Sequence, residues 1–225
     1  MRQRKLAASA AALTVVLAVP LLGPAAAGAA VEAGGPPATS QSAAGQPTGV
    51  AQEPRAMGEV VLNVDYQVQE TGYWCGPAAV RIALSARGIY RSQADLAAQL
   101  GTHTGGTDWI GQVTRVLSNH VGWYETKEMP NDPPTQAQKD LLWRDIVLNI
   151  NNNYPIVANI VAPPGNQPPG YPPNQTIYHY FTVIGYNDVN RTVLIADPAS
   201  FSGYQFYWLT FDQLASLIPP KGYSA

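Results

Sequence analysis

The stretch Gln69–Arg87, QETGYWCGPAAVRIALSAR, constrains this chain more than any other. It holds the only cysteine, Cys75, and Gly76-Pro77 follow it before an apolar run that begins at Ala78. Proline is favoured in the first turn of a helix, where its missing N–H costs nothing. Cys75 is therefore expected at or just before a helix N-terminus, with the helix running from Pro77 to Arg87 and stopping at Gly88. Unpaired backbone N–H groups and the positive end of the dipole favour an anion at that place. A thiolate is such an anion, and it is the nucleophilic form of cysteine. Gln69 lies upstream on the segment leading into the helix. Its amide N–H₂ is expected to reach an oxyanion forming beside the sulfur.

A lone cysteine forms no internal disulfide, and in an exported chain it is a reactive thiol or an intermolecular bridge. The plainer alternative is a buried cysteine acting as a small hydrophobe. Export is expected from the first 30 residues: a basic MRQRK, an apolar run broken by Pro20, then small residues suited to cleavage. Arg2 and Arg4 are not adjacent, so the general secretory route is expected rather than a twin-arginine one. The run is short for a membrane span of ~20 residues. Residues 31–57 are Gly, Pro, Ala, Ser, Thr and Gln with almost no large apolar side chain, the composition of a disordered linker. One folded domain is expected over 58–225. The net charge is −2, and no basic patch with interleaved aromatics appears, so nucleic acid is not an expected partner.

Within that domain the patterns run helices first, strands afterwards. Glu59 to Gln67 reads as a strand, and Ser92 caps a short helix with Asp95 as its partner. Thr107 and Asp108 open a helix through His120 that Gly122 ends. Thr135 to Asn151 is the longest helical pattern, with Leu141, Leu142, Ile146, Leu148 and Ile150 on its expected buried side. Ile156 to Ala162 begins the sheet. The following Ala162–Gln175, APPGNQPPGYPPNQ, holds six prolines and no periodicity. It reads as a stiff surface loop, and loops that long are often functional. Strands are expected at Ile177–Tyr186, Thr192–Ala196 and Tyr204–Thr210, and a closing helix at Phe211–Ile218. This order fits an α+β domain with an antiparallel sheet.

A cysteine nucleophile usually works with an imidazole base and a third group that orients it. His179 begins the apolar strand IYHYFTVIGY beside the proline-rich loop, and Asp197 ends TVLIADP. If these strands pair through the turn between them, 179 and 197 are equidistant from a centre near 188 and meet across the sheet. His103 and His120 read as surface or capping residues. No metal-ligand spacing, phosphate-binding loop, G-x-S-x-G elbow or H-E-x-x-H is present, so no cofactor or metal is expected.

At Gln69, Cys75-Gly76-Pro77-Ala78-Ala79, His179–Tyr186 and Asp197-Pro198 the chain resembles the bacteriocin-processing cysteine peptidases. These are family thirty-nine in the papain-like clan, and the chain is most similar to their free-standing peptidase-like domain. The resemblance covers Gly58 to about Phe211. It implies a papain-like cysteine peptidase fold, with N-terminal helices packed on an antiparallel sheet. It also implies Cys75 as nucleophile, His179 as its base, Asp197 as orienter and Gln69 as oxyanion donor. Family members that process bacteriocins cut after a double glycine and are fused to an ATP-driven exporter. Here no nucleotide-binding segment is seen, an export signal is, and Trp74 stands where the family often has Asp. The expected protein is a secreted or cell-wall-associated monomer acting on peptide or protein, off the membrane once its signal is cleaved. Two readings stand beside it: a hydrolase of cell-wall peptide, and a non-catalytic binding module that keeps the fold.

Overall fold

The computed structural model describes residues 58–225. The expected signal segment and linker, residues 1–57, lie outside the described residues. A seven-stranded antiparallel sheet forms the centre, and helices cover both faces. In chain order the elements are β1 (Glu59–Val61), α1 (Cys75–Ser85), α2 (Gln93–Leu100), α3 (Ile110–Val121), β2 (Thr126–Glu128) and α4 (Gln136–Asn151). There follow β3 (Ile156–Ala162), β4 (Ile177–Asn187), β5 (Thr192–Ala196), β6 (Phe206–Thr210), α5 (Phe211–Leu217) and β7 (Gly222–Ser224). The strand order is β2-β7-β3-β4-β5-β6, with β1 also on β4.

Side-chain alternation along the strands divides the apolar residues into two layers. Val157 of β3 and Tyr180 of β4 meet α1, α2 and α3 through Ala79, Val80, Ala83, Leu96, Val113 and Leu117. The alternate residues Ala158, Ile160, Phe181 and Val183 meet α4 and α5 through Leu142, Ile146, Ile150, Phe211 and Leu214. Both faces of β3 and β4 are therefore buried, which is why these strands read as nearly continuous apolar runs.

Several boundaries differ from the sequence reading for identifiable reasons. The strand expected over Glu59–Gln67 stops at Val61. Beside β4, β1 reaches only Gly185–Asn187, because β3 occupies the same edge from Val183 downward. Gly185 is required there, since a Cβ would collide with the Val60 carbonyl. The helix expected from Thr107 begins at Ile110, because 102–109 folds as a separate loop closed by the bridge between His103 and Gly106. On α4 the buried side includes Asp145 and Asn149, while Leu148 is half exposed. Helical period sets Leu148 away from Leu142 and Ile146. The two polar residues are admitted because Tyr223 Oη donates to Asp145 at 2.9 Å and Trp123 Nε1 to Asn149 at 2.7 Å. Strands β2 and β7, each three residues long, have no readable period and were not expected. Ser92 caps its helix as expected, accepting from the Asp95 N–H, and Thr135, expected as the first residue of α4, is its N-cap and accepts from the Gln138 N–H.

Leu142 is fully buried in the layer under α4, away from Cys75. Leu142→Ala is expected to cost about 2–5 kcal/mol by denaturant unfolding, with the alkylation rate of Cys75 in the folded protein unchanged. A loss below about 1 kcal/mol would contradict the packing described for α4.

Candidate active site

Cys75 is the first residue of α1, behind Trp74 at the N-cap, so its sulfur sits where the helix leaves N–H groups unpaired. Gly76 matters by its size. A Cβ there would run into the side chain of Thr107, whose hydroxyl pairs with that of Thr102 at 2.7 Å. The 102–109 loop can thus lie against the first turn of α1 and wall the cleft beside the sulfur.

The opposite wall is made by β4. Strand β5 ends at Ala196, opposite Thr182, so the β4 edge below that point is free of a strand partner on that side. The Tyr180 backbone N–H turns to the Cys75 sulfur there, and the Gly76 N–H is its second backbone donor. His179, one residue earlier, is buried and borders the same pockets as the sulfur, whose ionisation it favours. Its Nε2 lies 2.8 Å from Asp197 Oδ1, which leaves Nδ1 for Cys75.

The hairpin joining β4 and β5 brings Asp197 to this place by a route the spacing argument did not contain. The pair closest to the turn is Asn187 with Thr192, a wider turn than a centre at 188 allows. A bulge then slips the register by one, with Gly185 opposite Leu194 but Val183 opposite Ile195. Ala196 is level with Thr182, so Asp197 is level with Phe181 and shares its face with His179 two residues along. Without the bulge Asp197 would be level with Thr182, on the face turned to α1. A one-residue slip moves every side chain to the other face, and here it aligns the carboxylate with the imidazole.

Asp197 is completely buried. Its Oδ1 accepts from His179 and from the Ala199 N–H at 2.9 Å. Its Oδ2 accepts from Tyr171 Oη at 2.8 Å and Tyr207 Oη at 2.6 Å. Burial pushes the carboxyl up, but the charge and hydrogen bond of His179, with the two phenols, outweigh it and hold Asp197 below its ordinary value. Burial alone would lower His179, yet Asp197 above all, with Cys75, raises it to about 10. Burial raises the Cys75 thiol, and the His179 hydrogen bond and charge reverse this, bringing it below the ordinary thiol value. Proton transfer from sulfur to imidazole is favoured by every neighbour within reach except burial.

Gln69 and Cys75 border the same pocket, about 380 Å³, together with His179, Ile177 and Phe201. The Gln69 backbone N–H donates to the Pro198 carbonyl at 2.8 Å, tying this segment to the residue after Asp197. Its Nε2 donates to the Thr71 carbonyl at 2.8 Å, and its second N–H has no protein partner among the described residues. Gln69 Oε1 is buried and has no hydrogen-bond partner among the described residues. A second pocket of about 230 Å³ lies on the other side of Cys75 and His179, lined by Gly105, Gly106, Asp108, Asn159 and Lys221. Tyr178, 68% exposed, borders both. Cys75, His179 and Gln69 thus border one cleft that extends to either side of the sulfur, a shape suited to an extended chain, and Asp197 lies buried behind His179.

His103 and His120 lie elsewhere. His103 pairs with Asp108 at 2.9 Å on the outside of the 102–109 loop, and His120 contacts Gln99. Among the described residues no group of three His, Cys, Asp or Glu could hold a metal, and no helix is long and apolar enough to cross a membrane. The sequence reading missed Tyr171, Tyr207 and Asn159. A polar residue at the centre of IVANIVA was a usable signal for Asn159, whose amide donates to Tyr180 Oη at 2.9 Å. A single tyrosine amid the prolines of a long loop was one for Tyr171.

Residues 61–216 match the model of the Peptidase_C39 like family. A comparison with curated proteins found no match. Among solved structures the chain is similar to a C39-like peptidase from Bacillus anthracis (TM-score 0.52, 13% identity, 74% of this chain and 96% of that one). It is also similar to the peptidase domain of Streptococcus ComA (TM-score 0.46, 17% identity, 72% and 96%). A third is xylellain, a cysteine protease from Xylella fastidiosa (TM-score 0.44, 13% identity, 74% and 85%). The first of these likenesses supports a papain-like α+β fold.

Iodoacetamide is expected to alkylate Cys75 rapidly well below pH ~8.5, the ordinary thiol value. His179→Ala removes the base and the hydrogen bond together, so its labelling is expected to rise only near that value. Identical pH profiles for the two proteins would rule out the thiolate–imidazolium pair.

Proposed function

The chain belongs to the Peptidase_C39 like family and is a cysteine peptidase by class, and from that premise we propose that it cleaves amide bonds in peptides through Cys75, His179, Asp197 and Gln69. The observation that carries this reading is the placement of the Cys75 sulfur beside His179, whose Nε2 lies 2.8 Å from Asp197 Oδ1, in a cleft open on both sides. Cys75 attacks the carbonyl carbon as a thiolate. The carbonyl oxygen gains the negative charge and takes hydrogen bonds from the second Gln69 N–H and the helix-start backbone. His179, holding the thiol proton, gives it to the leaving amine, and the C–N bond breaks. A water that loses its proton to His179 then attacks the thioester, releasing the acid and restoring the thiol. Asp197 stays ionised throughout and keeps the imidazole turned.

The substrate class in this reading is a peptide or protein met outside the cytoplasm, since an export signal is expected at the N-terminus. The mechanism needs no cofactor. The cleft fits an extended chain, and cell-wall peptide has the same scissile chemistry.

Cleavage of a mixed peptide library and of cell-wall peptide fragments, followed by mass spectrometry, tests this. Cys75→Ala is expected to abolish turnover. Gln69→Ala is expected to lower kcat by about 10²–10³-fold, the effect of losing one oxyanion donor, with KM little changed. With His179 raised to about 10, the proton for the leaving amine is present at neutral pH, and activity should fall as pH rises through that value. A wild-type protein that cleaves neither substrate set, or a Cys75→Ala protein as active as wild type, would overturn the proposal.

A further inference from the structure

Tyr171 and Tyr207 reach the same oxygen, Asp197 Oδ2, from unrelated parts of the chain. Tyr207 is on β6, opposite Ile195 in the sheet. Tyr171 comes from the proline-rich loop between β3 and β4, and it is the one large side chain of that loop sent inward. The loop is docked by several contacts around it. Ser202 Oγ donates to the Gly170 carbonyl at 3.1 Å, Asn166 donates to Ser216 at 2.9 Å, and the Tyr171 ring meets Phe201 at 4.6 Å between centroids. Gly170 has φ +81° and lies so close to the Phe201 carbonyl that a side chain would collide with it. The backbone is thus shaped to drive residue 171 into the sheet end.

A carboxylate has about four lone-pair sites. With His179, Ala199, Tyr171 and Tyr207, all four are taken, two on each oxygen. The two phenols fix the far oxygen, so the carboxylate cannot rotate about its own bond without breaking two hydrogen bonds in a dry site. Rotation is the motion that would release His179 Nε2 and let the imidazole turn its Nδ1 from the sulfur. Tyr171 also stands edge-on to the His179 ring, at 6.1 Å between centroids.

We propose that Tyr171 and Tyr207 are positioning residues, which act through Asp197 to hold His179 aimed at Cys75, and that Tyr171 makes the proline-rich loop a working part of the site. The proposal rests on the Cys75–His179–Asp197 reading above. Neither tyrosine touches the reacting atoms, and each loses only a hydroxyl on replacement by Phe, so ring packing against Phe201 and in the α5 layer is kept.

The test is the pH profile of Cys75 alkylation by iodoacetamide in the full chain, for Tyr171→Phe and Tyr207→Phe, each alone and combined with Asp197→Asn. Loss of a hydrogen bond to a charged group is expected to slow labelling at pH 6 about tenfold. It should also move the low-pH edge of the profile upward, because the carboxylate then takes a proton more readily. In the Asp197→Asn background either Tyr→Phe change is expected to add less than about twofold, since residues acting through one group are not additive. Tyr→Phe profiles that overlay wild type, or an equal tenfold cost with and without Asp197, would overturn the proposal. His179→Ala separates the two readings. If it leaves labelling unchanged, the triad reading has failed. If it abolishes low-pH labelling while the tyrosine variants do nothing, only the positioning role has failed. The two tyrosines enter from different elements, so a folding defect in one variant leaves the other to decide.

Discussion

The carboxylate of Asp197, wholly out of water, is the constraint on which the other features of the site depend. Moving an isolated carboxylate into such a place costs several kcal/mol even after the protein relaxes. The cost is offset only if its lone pairs are filled and a positive charge stands beside it. Four donors converge on it, from β4, β6, the turn after Asp197 and the proline-rich loop. The positive charge is the imidazole of His179, and an imidazolium there is worth having only if the proton has a source. In the proposed mechanism the Cys75 thiol supplies it. His179 is thus the common partner: it holds both the Asp197 carboxyl and the Cys75 thiol below their ordinary values, and the two together hold it above its own.

Much of this unit was legible in the sequence because it lies where local rules are strong. A cysteine followed by Gly-Pro marks a helix start on turn chemistry alone, and the helix does begin at Cys75. Two apolar strands around a polar turn imply a hairpin, and β4 and β5 form one. What was not legible depends on register. The reading placed His179 directly opposite Asp197, whereas the turn is wider than assumed and a bulge at Val183/Gly185 takes back one residue. The two departures leave Asp197 level with Phe181, still on the face of His179. A bulge has no period and no composition signal beyond a glycine, so spacing could not supply it. The phenols on Asp197 were hidden for a different reason. Tyr171 and Tyr207 are distant in sequence from each other, and only the completed sheet and docked loop bring them to one oxygen. The short strands β2 and β7 belong to the same class of omission, being defined by their neighbours rather than by their own residues.

The same geometry explains why the site lies where it does. A strand inside a sheet has both edges occupied, and neither a nucleophile nor a substrate can approach its backbone. By stopping at Ala196, β5 uncovers the β4 edge at Tyr180 just where the start of α1 arrives. The Tyr180 N–H, which a longer β5 would engage, is then available to the sulfur. Asp197 is the first residue beyond that stop, and Pro198 follows it. Proline cannot donate to a ladder and so is unsuited to continuing the strand. Termination of β5, exposure of the β4 edge and delivery of the carboxylate are therefore one structural event, encoded by an Asp-Pro step at the end of an apolar strand. A chain with β5 extended by two residues would keep Cys75, His179 and Asp197 and lose the place for the sulfur. That makes the length of β5, as much as the identity of its last residues, a determinant of the chemistry.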